Sequence, residues 1–341
     1  MKLSRVFKVS GVYVGTVVGA GFASGRELAG FFLKFGDAWF LGIIFAALLF
    51  SFLGYGVIAL AKDTGAKGYG DFLCHIMGKR LGKAMEIVSG VFLCVLFYAM
   101  TAATGALFTE ALGISYFAGV LIMLLICFAT LLFETKGIVA VNSVLSPLLI
   151  ISGFAIGLYV FASDGKAQGV PSFENISNLA FSSVIYVSYN IITATAVLVT
   201  VKDIVKTKRE AFVSSAVSGV ALAFLGLAIG SAIYANGKCI DMEIPMLGVV
   251  FEHGAAIRLI YIAMLASAIF TTAVGNGFAA CSFLAGILGF GKYAIAFIFL
   301  STAFFVSFLG FSGIVDSFYK VFGYIGIVQT IAVALAMVKN K

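Results

Sequence analysis

The chain has 341 residues, of which 62% are hydrophobic and 11% charged, with a formal net charge of +7. No soluble core of this size needs so much apolar surface, so the composition excludes a soluble domain and indicates a polytopic α-helical membrane protein. Long uncharged runs in place of short alternating segments exclude a transmembrane β-barrel, and the positive balance belongs to loop charges rather than to a nucleic-acid partner.

The N-terminus is short and basic, and the first apolar run reads as a retained span rather than a cleaved signal. Span 1, over 6–35, contains Gly15-Thr16-Val17-Val18-Gly19-Ala20-Gly21-Phe22-Ala23-Ser24-Gly25-Arg26-Glu27, with four glycines in eleven positions. Each glycine costs roughly 1 kcal/mol relative to alanine inside a helix, and the β-branched Thr16, Val17 and Val18 add smaller penalties. Ser24 and Glu27 then form an S-x-x-E pattern, the capping box of a restarting helix. A helix that stops and restarts at membrane depth must line a cavity or be buried in protein. This is the signature of a transporter's broken helix.

Runs free of Asp, Glu, Lys and Arg give the other spans, at about 20 residues per crossing. Span 2 is expected over 38–61, span 3 over 84–109, span 4 over 114–133 and span 5 over 137–162. After a loop at 163–172 containing Asp164, Gly165 and Pro171 come span 6 over 173–201, span 7 over 211–236 and span 8 over 255–288. Span 9 over 293–309 and span 10 over 312–338 complete an all-α protein of ten transmembrane helices. The loop separates two five-span halves, 1–162 and 173–341. Five is odd, so the halves enter the membrane in opposite senses and, as structural repeats, are inverted repeats. Span 6 is expected to be interrupted at Tyr186-Val187-Ser188-Tyr189-Asn190, where polar and β-branched residues fall at bilayer depth.

Lys and Arg gather on one side of this plan, placing both termini in the cytoplasm of a bacterial cell and the chain in its plasma membrane. The five cysteines are scattered without a metal-ligand spacing, and the two histidines, His75 and His253, lie in loops or at span ends. No cofactor is expected. No catalytic triad, carboxylate pair or phosphate loop stands at membrane depth, which argues against an enzyme.

The five-plus-five plan with its broken first helix resembles the LeuT fold of the amino acid–polyamine–organocation superfamily. The segment Gly19–Glu27, in a chain this short, is more narrowly similar to the YkvI-like bacterial membrane proteins. In sodium-coupled members of the fold, an ion lies between a G-x-x-V-G-x-G-like run of span 1 and an A-x-x-[ST]-[ST] run of span 8. The resemblance therefore implies a sodium site made by the carbonyls of Gly15, Val18 and Ala268 and the hydroxyls of Thr271 and Thr272. Read alone, that threonine pair fits better as hydroxyls bonded to their own helix or joining neighbouring helices, and only the match in span 1 brings the ion reading level with it. Span 5 carries Asn142, Ser143 and Ser146 but no lysine, which favours sodium over the lysine-based proton mechanism of some relatives.

The same resemblance puts the substrate at the breaks, with an anionic group against the backbone of Gly19, Ala20, Gly21, Phe22 and Ala23. Tyr186, Ser188, Tyr189 and Asn190 of span 6 and Tyr98 of span 3 are the implied side-chain contacts, with Ser267 and Asn276 of span 8 behind them. Arg26 and Asp316 correspond to an outer gate, although Asp316 and Lys320 are also spaced as a local i,i+4 pair. The implied activity is sodium-coupled symport of a small organic solute, an amino acid or related zwitterion, by alternating access within the lipid bilayer. Proton coupling on the same fold, or ligand sensing through protein partners, are the alternatives.

Overall fold

The computed structural model describes residues 1–133, 154–159, 162 and 175–339. The first span is three helices in succession: α1 (Leu3–Val17), α2 (Ala20–Ala23) and α3 (Arg26–Phe31). Then come α4 (Trp39–Thr64), a short α5 (Tyr69–Met77), α6 (Lys79–Leu112), α7 (Tyr116–Phe133) and a helical stretch α8 at 154–159. Beyond it lie α9 (Ile176–Val201), α10 (Lys208–Ala235), α11 (Pro245–Phe251), α12 (Ala255–Leu288) and α13 (Lys292–Ser307). The last span is α14 (Gly310–Ile314), a π-helical turn (Val315–Tyr319) and α15 (Lys320–Lys339). Span 5 falls mainly outside the described residues; every other expected span has its helix.

Six of these helices are long and apolar enough to cross a membrane among the described residues. Their outward faces carry exposed Leu48, Phe52, Leu125, Phe224, Phe297 and Phe305. A soluble protein does not present so large an apolar surface, and lipid covers it here. The first span fails as one long helix for the reason its glycines give.

Packing divides the helices into two groups. In one, α4 lies against α9 and α10, α1 against α9 and α10, and α15 against α9. In the other, α6 lies against α12, α7 and α13. Small residues allow the closest approaches, as expected where lipid supplies no hydrophobic drive between helices. A Cβ on Gly326 of α15 would stand 2.6 Å from the Ser188 carbonyl oxygen of α9, so that crossing requires glycine. The Tyr13 ring of α1 packs on Gly54 of α4, and its hydroxyl donates to the Phe50 carbonyl at 2.9 Å.

Both termini lie at the same end of the bundle. Glu210 of α10 accepts the Lys2 and Lys206 backbone N–H groups at 2.9 and 2.8 Å and faces Arg5 at 3.7 Å. Lys62 donates to the Val205 and Lys206 carbonyls, and Lys208 pairs with Asp63 at 3.0 Å. Met337 of α15 packs at the same end, against Gly56 of α4.

The expected interruption of span 6 is absent: α9 is one helix of 26 residues. It contains neither glycine nor proline, and several of its polar side chains bond to their own helix instead of opening it. Asn190 Nδ2 donates to the Tyr186 carbonyl at 3.0 Å, and the Thr195 hydroxyl to the Ile191 carbonyl at 2.6 Å.

Candidate functional site

The break in the first span is two residues long. Val18 (ψ 84°) leaves the helical region and Gly19 is extended, after which α2 begins at Ala20. Gly19 N–H donates to the Val17 carbonyl at 3.1 Å. Among the described residues, the carbonyls of Gly15, Thr16 and Val18 accept no backbone N–H. A second turn follows at Ser24–Gly25, where Gly25 is left-handed (φ 79°) and lies against Ile233. A side chain at Gly25 is excluded twice over, by the dihedral and by that contact.

The expected capping box does not form: Gly25 rather than Ser24 is the N-cap of α3, and no side chain caps it. The Ser24 hydroxyl accepts the Arg26 N–H at 3.3 Å and donates to the Gly21 carbonyl at 2.8 Å. Glu27 does not return to Ser24. It is 6% exposed, and its Oε2 accepts the Tyr189 hydroxyl at 2.7 Å. Its Oε1 lies so close to Gly21 that a methyl group there would overlap it. Partners from another helix displace the local cap because α9 brings a buried donor within reach.

A cavity of about 460 Å³ begins at this break, with Thr16, Gly19, Gly21 and Glu27 in its wall. Tyr189, Asn190 and Thr193 face it from α9, and Thr272 and Asn276 from α12. It continues past Leu93, Leu96 and Phe283 to Tyr69, Glu86 and Ser89, towards the end of the bundle that carries the termini. At that mouth Glu86 is paired with Lys83 at 2.8 Å, and the Tyr69 hydroxyl is bonded to Ser89 and, at 3.2 Å, to Gln329. The volume lies in the range of small-molecule sites.

The opposite end is closed by polar contacts. The Arg26 guanidinium donates to Asp316 and to the Ile240 and Met242 carbonyls at 3.3 and 3.2 Å. Lys320 stands 3.6 Å from the other oxygen of Asp316, so the local i,i+4 pair and the interhelical pair coexist. The segment leading into α11 straps the same end. Glu243 accepts the Ser312 N–H and hydroxyl at 2.6 and 2.9 Å, and Glu110 accepts the Glu243 and Ile244 N–H groups at 3.1 and 3.2 Å. Met246 N–H reaches the Ser24 carbonyl at 3.0 Å.

The structure thus brings some of the expected site residues together and leaves others apart. Gly19, Ala20, Gly21, Tyr189, Asn190, Thr272 and Asn276 share the cavity. Behind Thr272, the buried Thr271 donates to the Ala268 carbonyl of its own helix at 3.2 Å. Phe22 and Tyr186 stand behind the cavity wall, around a small void with Phe32 and Phe50, and the Ala23 carbonyl accepts the Tyr261 hydroxyl at 3.1 Å. Tyr98 points away: Leu93, Leu96 and Met100 turn their face of α6 to the cavity, while the Tyr98 hydroxyl meets Thr302 of α13 at 2.8 Å. Ser188 faces Thr330 of α15 at 3.2 Å, and Ser267 bonds back to the Ala263 carbonyl on an exposed face. Glu27, Tyr69, Glu86, Thr193 and Tyr319 also line the cavity and were missing from the expected set. Of these only Glu27 left a signal, as a carboxylate beside the break.

No protein-family model matches the chain. It is 31% identical over 320 residues to the membrane protein YkvI of Bacillus subtilis (strain 168), itself uncharacterized, with 93% of this chain and 91% of that protein covered. It is 24% identical over 334 residues to the protein YyaD of the same organism, with 96% of each covered. Among solved structures, the Eremococcus coleocola manganese transporter bound to an aromatic bis-isothiourea substituted compound is similar at TM-score 0.65 and 13% identity, over 97% of this chain and 78% of that one. MhsT in complex with L-phenylalanine gives TM-score 0.62 and 17% identity, over 98% and 88% of the two chains. Mhp1 in an inward facing conformation gives 0.60 and 14%, over 93% and 73%. These likenesses establish the LeuT fold for this chain.

Proposed function

Because the chain belongs to the YkvI family of membrane proteins and has the LeuT fold, we propose that it is a secondary transporter of a small organic solute, an amino acid or a related zwitterion, coupled to sodium. The observation that carries this reading is the cavity at the broken first span. It lies where two helix groups meet, reaches one end of the bundle and is shut from the other by Arg26 and Asp316. Such a cavity, with one end sealed, is one half of an alternating-access cycle. In the other half, α1, α4, α9 and α10 rock against α6, α7, α12 and α13, and the Arg26–Asp316 contact opens as a gate. The end with the termini is taken as cytoplasmic, since Lys2, Arg5, Lys62, Lys202, Lys206 and Lys208 cluster there. The cavity then faces inward.

Sodium coupling is supported by the free carbonyls of Gly15 and Val18 at the break and by Thr272 across the same cavity. A hard cation takes oxygen ligands, and an unwound helix is where membrane protein offers them. Ala268 and Thr271 complete the proposed set from α12. An ion bound between the groups biases the cycle only by binding its two states unequally.

The test is thermal stability of the purified protein in detergent, in sodium, potassium and choline salts, against a panel of amino acids. A bound ligand raises apparent stability by mass action. The expected result is a rise specific to sodium and enhanced by one class of solute, followed by sodium-driven uptake into proteoliposomes. Uptake driven by a proton gradient and indifferent to sodium would remove the sodium assignment. Absence of any uptake would remove the transporter.

A further inference from the structure

The cavity is unusual in its charges. Among the described residues its lining has two carboxylates, Glu27 and Glu86, and no Lys, Arg or His. Glu86 has Lys83 at 2.8 Å, so its charge is balanced at the mouth. Glu27 has no such partner. Its sequence neighbour Arg26 turns away, to Asp316 and the carbonyls of Ile240 and Met242. The groups around Glu27 are the phenols of Tyr186 and Tyr189 from α9 and of Tyr319 from the last span, none of them cationic. Tyr189 satisfies Oε2, while Oε1 accepts no hydrogen bond among the described residues and borders the cavity beside Gly21.

We infer that Glu27 is the counter-charge for a cationic nitrogen on the solute, so that the cavity selects small amines with an apolar body. The inference rests on the proposed transport reading and narrows its substrate class. A carboxylate buried at membrane depth without a positive partner is costly. A solute ammonium removes that cost on arrival, which converts it into affinity and selectivity. Much of the remaining lining is apolar or aromatic, with Phe92, Leu93, Leu96, Met100, Ile192 and Phe283 in contact with the body of the ligand. Aromatic faces near the site add attraction for a cation and none for an anion.

The same geometry disfavours the anionic end of a solute at this spot. The backbone at Ala20 and Gly21 is within the cavity wall, but a carboxylate placed there would stand against Glu27. In an amino acid the ammonium is therefore the recognised group, and the carboxylate lies further along the cavity or is dispensable.

Two matched ligand series test this with the purified full-length protein near neutral pH. One is L-leucine, isoamylamine and isocaproate; the other is L-phenylalanine, phenethylamine and hydrocinnamate. Binding is read by calorimetry and by thermal shift. The expected result is that an amine and its amino acid bind, while the acid lacking nitrogen binds roughly tenfold or more weakly. Glu27→Gln should lower amine affinity by a similar factor while the protein stays monodisperse, and Glu27→Asp should retain part of the preference. Equal binding of acid and amine, no binding of either amine at millimolar concentration, or full amine affinity in Glu27→Gln overturns the inference. Proteoliposome uptake separates it from the underlying reading. Amine binding without uptake removes transport but keeps Glu27 as the recognition group. Uptake unaffected by Glu27→Gln keeps transport and removes Glu27.

Discussion

The Tyr189 hydroxyl donates a 2.7 Å hydrogen bond to Oε2 of Glu27, joining α9 to the restarted half of the first span across 162 positions of sequence. The Tyr189 ring is held among Phe31, Phe92, Tyr186 and Tyr319, with ring centroids 5.2–5.9 Å away. Such aromatic packing fixes where the hydroxyl points, and so where the carboxylate rests.

Tyr189→Phe keeps this packing and deletes only the donor. Leaving a buried acceptor unsatisfied costs about 1–3 kcal/mol, and the bound solute should feel part of that loss through a less fixed Glu27. The expected outcome is several-fold weaker solute binding with a small fall in unfolding temperature. Unchanged affinity would separate Tyr189 from the site.

Gly21→Ala tests the close approach of Glu27 to the break. The new methyl group overlaps Oε1, so the carboxylate must swing away from the cavity wall. Solute binding should be lost in the single variant. In Gly21→Ala/Glu27→Asp the shorter side chain withdraws and binding should partly return, a coupling that a double-mutant cycle measures directly. Strictly additive effects would show that the two positions act independently.

Arg26→Ala removes the guanidinium from Asp316, leaving Lys320 beside it, and frees the Ile240 and Met242 carbonyls. The Arg26 side chain is 9% exposed and that of Asp316 33%. Breaking a buried pair costs about 3–5 kcal/mol, and the exposure of Asp316 puts this one at about 3 kcal/mol. Besides the lower unfolding temperature, the far end should open. A single cysteine at position 276, in a chain without its native cysteines, should then react faster with a membrane-impermeant reagent added outside cells. The same rate in both backgrounds would deny Arg26 a gating role.

Thr272→Ala removes one proposed ion ligand from the cavity wall. The sodium concentration giving half-maximal stabilisation should rise sharply, while expression and fold change little. If that concentration stays the same, Thr272 is not a ligand.

The first span was legible because its cause is local: Gly15, Gly19, Gly21 and Gly25 disfavour a helix wherever they stand. Span 6 was misread because polarity was taken for weakness. Asn190 and Thr195 bond to carbonyls of their own helix, so their polarity strengthens no break. The role of Glu27 was hidden by a sufficient local explanation, the S-x-x-E pattern, which α9 overrides with a partner from afar. Tyr98 shows a different limit. It lies two residues from both Leu96 and Met100, hence on the opposite side of α6, and a uniformly apolar helix does not reveal its rotation. Arg26 and Asp316 were paired only by resemblance, since nothing in their spacing joins residues on two distant spans.

The first span and α9 differ in one mechanical respect. The first span is cut at Val18 and Gly19, whereas α9 runs straight through the corresponding depth. Any swing of Leu3–Val17 relative to α2 is absorbed by two pairs of backbone dihedrals, while α9 has no joint and travels as a rod. The first span is therefore built like a jointed door, one leaf of which is held to α10 where Glu210 meets Lys2 and Arg5. In the proposed cycle the first span can bend at its joint, whereas α9 can only tilt whole.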